Sequence, residues 1–296
     1  MSSFEEKLLS YKSKIESFLK NAISDEESFP LITSAMKHSL LAGGKRLRGA
    51  LVLAFYEELG GKADDALFLA SSVEMVHAYS LIHDDLPCMD DDDMRRGKPS
   101  NHIVYGYANA LLAGDALLTY AFELASSETA INFLKPQNVI KAINILAKNA
   151  GYKGMVGGQV LDLDAEGKEK ELSEMEYINS LKTGKLITAS CLMGAYLMGV
   201  DEETEKAIIS YGQNLGVAFQ IADDILDVTG SEEKLGKPIG SDKENKKTTF
   251  VTEYGVKRAE EIALSYSQRA IDALRSVGIN NDFLFELAIR SVKRES

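Results

Sequence analysis

Apolar residues recur at helical spacing along most of the chain. In the first twenty residues they fall three or four positions apart, as on one face of an amphipathic helix: Phe4, Leu8, Tyr11, Ile15 and Phe18. Residues 63–86 and 103–125 are apolar on several faces, which predicts central helices surrounded by others. The uncharged run 186–200 is shorter than the ~20 residues that a membrane span needs. It predicts a buried core helix or a helix at a subunit interface, and no membrane span.

Turn signals separate these segments, and several are glycine pairs: 43–44, 60–61 and 157–158. The sequence between the turns is rich in Ala, Leu, Glu, Lys and Met, which favour helices. Neither an internal repeat nor a Ser/Pro/Gly-rich linker divides the chain. The sequence therefore predicts an all-α protein in which residues 1–296 form a single domain, a bundle of about ten or more helices.

The charge balance excludes some classes of partner. The chain has 33 basic and 45 acidic residues and a net charge of -12, whose summed field repels nucleic acid and anionic membranes. A bound phosphate must therefore meet a local basic cluster or a metal. Cys88 and Cys191 provide neither a disulfide framework nor a zinc spacing, and the acidic residues near Met1 do not fit a signal peptide. We expect a cytoplasmic protein.

Residues 84–93, DDLPCMDDDD, contain six aspartates and no cation. Two carboxylates about 5 Å apart repel each other by ~3 kcal/mol at an effective dielectric near 20, so a buried arrangement needs a cation. Asp84 and Asp85 end an apolar helical segment that Pro87 should interrupt. Only a break at this proline lets Asp84 and Asp90 point at the same ion. A solvated acidic loop is the alternative interpretation.

A second acidic cluster lies in GVAFQIADDILDVTG, residues 216–230. Asp223 and Asp227 are four positions apart in a helical pattern, so their carboxylates project from one face about one turn apart. Asp224 is rotated by about 100° and would either reach the same site or face solvent. The ligands offered by both clusters are oxygens without His/Cys metal spacing, which favours Mg²⁺ over zinc.

Basic residues stand close to these clusters in an otherwise acidic chain. They are Lys45, Arg46 and Arg48 in GGKRLRG, Arg95 and Arg96 after the first acidic run, and Lys182, Lys237 and Lys247 further on. A solvated position is the alternative for any one of them. As a set they predict an anion such as a diphosphate, bridged to aspartate by Mg²⁺ and held by arginine and lysine.

Seven motifs, in this order, resemble those of the short-chain trans-isoprenyl diphosphate synthases, most closely the bacterial farnesyl diphosphate synthases. They are GGKRLR, HDDLPCMDDDDMRRGKPSNH, AGDALL, GGQVLDL, LKTGKL, GVAFQIADDILDVTG and LGKPIGSDKENKKTTF, between about residue 30 and about residue 255. The resemblance implies head-to-tail condensation of isopentenyl diphosphate with an allylic diphosphate. It also implies an all-α fold with a central active-site cavity, normally in a homodimer.

The resemblance further implies roles for individual residues. Several Mg²⁺ ions would be bound by Asp84, Asp90 and Asp223, with Asp85 and Asp227 as supporting or direct ligands. The allylic diphosphate would contact Arg95, Lys182, Lys237 and Lys247. The reacting end would be lined by Thr183 and Gln220, which with Lys182 and Lys237 form the implied catalytic group. Isopentenyl diphosphate would bind Lys45, Arg48, His77 and Arg96.

The chemistry accounts for these residue types. Cleavage of the allylic carbon–oxygen bond gives a carbocation and a diphosphate, so fixed cations and Mg²⁺ lower the barrier by stabilising the departing charge. A protein nucleophile is not needed, and the sequence lacks a nucleophile motif. Water would quench the carbocation, so the pocket must close. The glycine-containing segment 237–247 is the predicted lid.

Product length is the least determined part of the resemblance. Tyr79 and Ser80, the fifth and fourth residues before Asp84, would face the growing chain, and Tyr79 favours farnesyl diphosphate as the product. A tyrosine packed in a core is the alternative. Geranyl or geranylgeranyl diphosphate as the main product, and a non-catalytic regulatory subunit, also stay open. A class I terpene cyclase is a further rival, but it has no use for the second diphosphate site at Lys45 and Arg48.

Three positions depart from the family pattern. Gly49 stands where proline is general, His38 where tyrosine is common, and Tyr107 where glutamate is frequent. None of them is an implied ligand of metal or diphosphate. They bear on local helix starts and on substrate affinity rather than on the reaction.

Overall fold

The structure is a computed structural model that describes residues 2–24, 29–165, 167–168, 170–229 and 248–293, apart from the side chain of Phe133. The first half of this chain is built from six helices and one short ladder. The helices are α1 (Ser3–Ala22), α2 (Pro30–Leu40), α3 (Leu47–Glu58), α4 (Leu67–Asp84), α5 (Asn101–Tyr105) and α6 (Tyr107–Ala125). A 3₁₀ turn (Ala63–Ala66) precedes α4, and β1 (Met94–Arg95) pairs antiparallel with β2 (Lys98–Pro99) before α5.

The second half is helical throughout its described part. Its helices are α7 (Glu128–Phe133), α8 (Pro136–Ala150), α9 (Met155–Ala165), α10 (Leu172–Asn179), α11 (Lys185–Met198), α12 (Glu202–Thr229), α13 (Phe250–Tyr254), α14 (Val256–Arg275) and α15 (Asp282–Val292). A single π-helical turn, Ser180–Gly184, joins α10 to α11. The all-α prediction is confirmed.

Helix α1 begins and packs as its pattern of polar and apolar residues predicts. Ser2 caps α1 by accepting from the Glu5 amide, while the Glu5 side chain accepts from the Ser2 amide, which satisfies two donors that a helix start leaves open. One face is buried through Tyr11, Ile15 and Leu19. The predicted amphipathic helix is therefore confirmed.

The central layer is formed by α3, α4 and α11. These helices are buried on nearly all faces, so the run 186–200 is a core helix rather than a surface one. One hydrophobic cluster extends from Tyr11 in α1 to Ala288 in α15. That residues 1–296 form a single domain stays a prediction. Within the described ranges, no helix is long and apolar enough to cross a bilayer.

Two local predictions were wrong. Gly157 and Gly158 lie inside α9 rather than at a turn, because Gly158 is needed for contact between helices. A Cβ at Gly158 would overlap with the backbone of Lys182. The predicted helix 103–125 is interrupted at Gly106, whose φ of 81° belongs to the left-handed region that glycine tolerates.

Candidate active site

The first aspartate motif begins where α4 ends. The helix ends at Asp84, and the chain then turns so that the Asp90 amide donates to the Asp84 carbonyl at 2.9 Å. Asp91, next in the turn, has a φ of 53°, an uncommon conformation for a residue with a side chain. The predicted break near Pro87 is confirmed, and it brings Asp90 back beside the end of the helix.

Asp85 is paired with Arg95. The carboxylate is 3% exposed, and Nε of Arg95 donates to its Oδ1 at 2.8 Å. Nη2 of Arg95 donates to Asp92 at 3.1 Å and also to Asp85. Two residues implied to serve metal and diphosphate are therefore ion-paired with each other, and Arg95 is held by the acidic run that precedes it.

Asp84 lies in an electrostatically unfavourable position. Burial raises its pKa to about 6; the charges of Asp90 and Asp85 add to the effect, while Lys182 and Arg95 oppose it. A partly buried carboxylate beside other carboxylates binds its proton more tightly because its charged form is poorly solvated. The site is thus one in which a further cation near Asp84 would be stabilising.

Lys182 connects this motif to α9. Its Nζ donates to Oδ2 of Asp162 at 2.8 Å. Desolvation opposes its charge, but Asp162, Asp84 and Asp90 outweigh that effect and raise the pKa of Lys182. The ammonium group is therefore charged at neutral pH and faces the first aspartate motif.

The π-helical turn Ser180–Gly184 carries both Lys182 and Thr183. Such wide turns occur frequently at functional sites. The Thr183 hydroxyl donates to Oε1 of Gln220 at 3.4 Å, and Nε2 of Gln220 donates to Oδ1 of Asp224 at 3.0 Å. This chain of contacts joins the turn to α12, the helix that carries the second aspartate motif.

The second motif is helical, as predicted. Asp224 and Asp227 are buried, whereas Asp223 is exposed. Asp224, for which the sequence left two orientations open, points towards Gln220. Among the residues that the structure describes, no three Asp, Glu, His or Cys side chains converge closely enough to hold a metal ion unaided.

The members of the basic cluster GGKRLRG lie in two different environments. Arg46 is 5% exposed; its Nη2 donates to the Leu40 carbonyl at 2.6 Å and its Nη1 lies 3.5 Å from Glu74. Its φ of 53° is strained for a side chain of this size. Arg46 is therefore a structural residue. Lys45 and Arg48 instead line a cleft that Phe219 of α12 also lines.

His77 lies among arginines. Desolvation lowers its pKa well below the usual value, and the charges of Arg48 and Arg96 add to this effect, so the imidazole is neutral at physiological pH. Desolvation also lowers the pKa of Arg48, an effect that the charges of Glu74 and Asp223 oppose. Arg48 thus links the basic cluster electrostatically to the second aspartate motif.

A cavity beside α4 gathers part of the implied isopentenyl diphosphate site. It is lined by His77, Asp85, Arg95 and Arg96 together with Arg46 and Glu74. Arg96, with a φ of 54°, also donates to the Gly43 carbonyl. The cavity therefore joins part of the first aspartate motif to Arg46 of the basic cluster, while Lys45 and Arg48 line the other cleft. Lys237 and Lys247, and the lid between them, lie outside the described residues.

Two carboxylates, Glu74 and Asp162, were not predicted from the sequence as partners of the basic residues. Glu74 is 3% exposed and accepts from the Gly49 amide at 2.9 Å while facing Arg46. A charged residue inside the apolar stretch VEMVHAYSLI was the signal, because such a residue needs a buried partner. Asp162 has no such signal, because its pair with Lys182 joins positions too far apart for periodicity to relate.

Comparisons with known proteins agree with this geometry. Residues 29–275 match the polyprenyl synthetase family. The farnesyl diphosphate synthase of Geobacillus stearothermophilus is 44% identical over 278 residues, which cover 94% of this chain and 93% of that protein. The geranylgeranyl diphosphate synthase of Cyanophora paradoxa is 46% identical over 229 residues, 77% of this chain and 76% of that protein.

A solved structure extends the likeness to the fold. A geranyltransferase from Helicobacter pylori, complexed with magnesium and isoprenyl diphosphate, is similar with a TM-score of 0.86 and 37% identity. The alignment covers 99% of this chain and 97% of that one. The ordered motifs, the helical fold and these matches together establish that the chain belongs to the polyprenyl synthetase family.

Proposed function

We propose that this chain is a Mg²⁺-dependent prenyltransferase. It joins isopentenyl diphosphate head to tail to dimethylallyl diphosphate and then to geranyl diphosphate, with farnesyl diphosphate as the main product. The family supports the reaction class. The observation that carries the proposal is the position of Lys182, which faces Asp84 and Asp90 while its neighbour Thr183 is hydrogen-bonded to Gln220 of α12.

Magnesium fits the donor set. Asp84, Asp85 and Asp90 would hold it on one side and Asp223 and Asp227 on the other, all through oxygen atoms, and several ions are proposed. Mg²⁺ is usually bound by one or two carboxylates together with substrate phosphates rather than by a complete protein cage. This mode of binding is compatible with the described ranges, in which no three Asp, Glu, His or Cys side chains converge. When bound, Mg²⁺ would neutralise the diphosphate and stabilise it as a leaving group.

Lysine and arginine side chains would provide the remaining electrostatic stabilisation of the diphosphate. Lys182 and Arg95 would orient the allylic diphosphate and stabilise the charge that develops as the carbon–oxygen bond breaks. Lys237 and Lys247 are proposed for the same diphosphate. Thr183 and Gln220, already hydrogen-bonded to each other, would line the reacting carbon. The proton lost after condensation would leave with the released diphosphate.

The second substrate would occupy the basic cluster. Lys45, Arg48 and Arg96 would bind isopentenyl diphosphate, and neutral His77 would donate or accept a hydrogen bond. Nε of Arg48 is buried without a partner within the described residues. A buried guanidinium donor of this kind is satisfied when an anion binds.

Sequence identity does not select the product, because the farnesyl and geranylgeranyl diphosphate synthases match this chain about equally well. The farnesyl product rests on Tyr79, which is 6% exposed on α4 below Asp84. Beside it, Ser80 turns its hydroxyl to the His77 carbonyl at 2.9 Å. Tyr79 is proposed to end the product cavity, with Ser80 beside it.

The purified chain should be incubated with Mg²⁺, isopentenyl diphosphate and each allylic primer in turn, and the products sized. We expect farnesyl diphosphate, and we expect Asp84→Ala or Asp223→Ala to lower kcat by orders of magnitude with unchanged circular dichroism. Near wild-type turnover in either variant would refute the metal assignment. A wild-type chain that binds prenyl diphosphates without turnover would indicate the non-catalytic subunit instead.

We further propose that the protein is a cytoplasmic homodimer. Ile103 and Val104 of α5 and Leu112 of α6 are exposed, as are Phe29 and Leu31 beside α6. Exposed apolar side chains on neighbouring elements are typical of an interface. Light scattering should give twice the chain mass. Leu112→Glu should shift the protein towards the monomer, while Glu202→Ala at the exposed start of α12 should not. A monomeric wild type would refute the dimer.

A further inference from the structure

Tyr79 is contacted by a second ring on the same helix. His83 lies one turn further along α4, and the two rings meet edge to face with centroids 5.6 Å apart and an interplanar angle of 82°. This is a favoured geometry for aromatic pairs. His83 is half-buried whereas Tyr79 is buried, so the tyrosine is the inner member of the pair.

His83 is in turn held by α6. Its Nε2 lies 3.0 Å from the Leu111 carbonyl oxygen; because a carbonyl only accepts, Nε2 carries the proton in this hydrogen bond. Gly114 lies against the imidazole, and a Cβ there would overlap with the ring. The Asp115 carboxylate is 3.8 Å from Nε2, beyond hydrogen-bond distance. The imidazole is therefore clamped between Tyr79 and the backbone of α6.

From this arrangement we infer that His83 determines product length as a positioning residue that acts through Tyr79. The inference rests on the proposed role of Tyr79 as the end of the product cavity. Five residues of α-helix separate Tyr79 from Asp84, which is about 7.5 Å along the axis. A rotation of the tyrosine ring therefore changes the depth available to a hydrocarbon chain whose diphosphate is bound near Asp84.

Removal of the imidazole would open space between α4 and α6. Tyr79 would turn into this space, because a side chain rotates among its staggered positions when packing no longer selects one. The cavity would then be deeper. We expect His83→Ala to shift the main product to one isoprene unit longer than that of the wild type. His83→Phe keeps a ring against Tyr79 but loses the donor to Leu111, and it should retain the wild-type product.

The test compares the products of five proteins with those of the wild type at equal conversion and fixed substrate ratio. They are His83→Ala, His83→Phe, Tyr79→Ala, the His83→Ala/Tyr79→Ala double variant and Asp115→Asn. The last is the matched control, since Asp115 lies near His83 but not in the ring pair. Circular dichroism checks folding. If His83→Ala does not fold, His83→Gln, which lacks an aromatic edge, replaces it in both the single and the double variant.

Longer products from His83→Ala and from Tyr79→Ala, with no further lengthening in the double variant, would support the inference. A normal product from His83→Ala beside a longer one from Tyr79→Ala would overturn it and leave the role of Tyr79 intact. A double variant that lengthens products beyond Tyr79→Ala would also overturn it, because His83 would then contact the chain directly. Unchanged products from Tyr79→Ala would remove the proposed cavity end and the inference together, but not the prenyltransferase activity.

Discussion

The Gly49 amide donates a hydrogen bond of 2.9 Å to Oε1 of Glu74, a carboxylate buried between α3 and α4. Proline, general at this position in the family, has no N–H and could not make this bond. A Cβ at Gly49 would also lie 2.8 Å from Cδ1 of Ile15. Glycine at position 49 therefore fits both the hydrogen bond to Glu74 and the close contact with Ile15. Through this bond Glu74 joins α4 to the start of α3, where the basic cluster ends.

Glu74→Ala should destabilise the fold by about 3 kcal/mol, because it removes the acceptor of the Gly49 amide and the buried carboxylate beside the Arg46 guanidinium, which is left with the more exposed Glu16, 3.7 Å from its Nε. The free energy of unfolding from urea titration measures this loss. Glu202→Ala is the control: its pair with Lys206 is exposed on both sides, and such pairs contribute at most about 1 kcal/mol. Equal losses in the two variants would contradict the role given to Glu74.

The pKa of Asp84 makes a prediction about stability and pH. It is 3.8 without the fold and about 6 within it, so the folded chain binds the proton more tightly. The contribution of Asp84 protonation to the free energy of unfolding is complete below about pH 4. It is lost as the pH rises through about 6, and the loss is at most about 3 kcal/mol. In chelator-treated protein, Asp84→Asn should therefore gain stability relative to the wild type between pH 4 and pH 7. A pH-independent difference between the two would contradict the assignment.

Asp162→Asn should impair catalysis through Lys182. The neutral side chain no longer fixes the ammonium group by an ion pair, and misplacement of a catalytic group by about 1 Å can cost about 100-fold in rate. We expect kcat to fall by that order with a smaller change in KM for the allylic substrate. Asp164→Asn is a matched control on the same helix, since Asp164 pairs with Lys168 at the surface. A large loss in that control would argue for a general effect on α9.

Gly158→Ala should separate α9 from the π-helical turn, because the added Cβ overlaps with the backbone of Lys182. Overpacking of this kind costs about 1–3 kcal/mol, and here it also displaces the catalytic turn, so kcat per folded molecule should fall. Gly194→Ala makes a similar overlap with Val52, between α11 and α3. That variant should lose thermal stability but keep kcat per folded molecule; an unchanged kcat in Gly158→Ala would count against the role of this contact.

Much of the fold could be read from the sequence because periodicity is a local signal. The face of α1 and the break after Asp84 follow from residues a few positions apart. The glycine pair at 157–158 was misread as a turn, since glycine gives the same signal for a turn and for a close approach between helices. The pairs Lys182–Asp162 and Glu74–Arg46 join distant positions. Nothing local specifies which carboxylate meets which cation.

The π-helical turn Ser180–Gly184 sets local stability against catalytic position. Deleting one residue from it would let α10 continue into α11 as regular α-helix, with better backbone hydrogen bonds. Because an i→i+5 turn holds one residue more than an i→i+4 turn, the same deletion would change the directions of the side chains within the turn and carry Lys182 away from Asp84. The chain keeps a less favourable helix at this one place, and a sequence redesigned only for helical regularity would erase the site it surrounds.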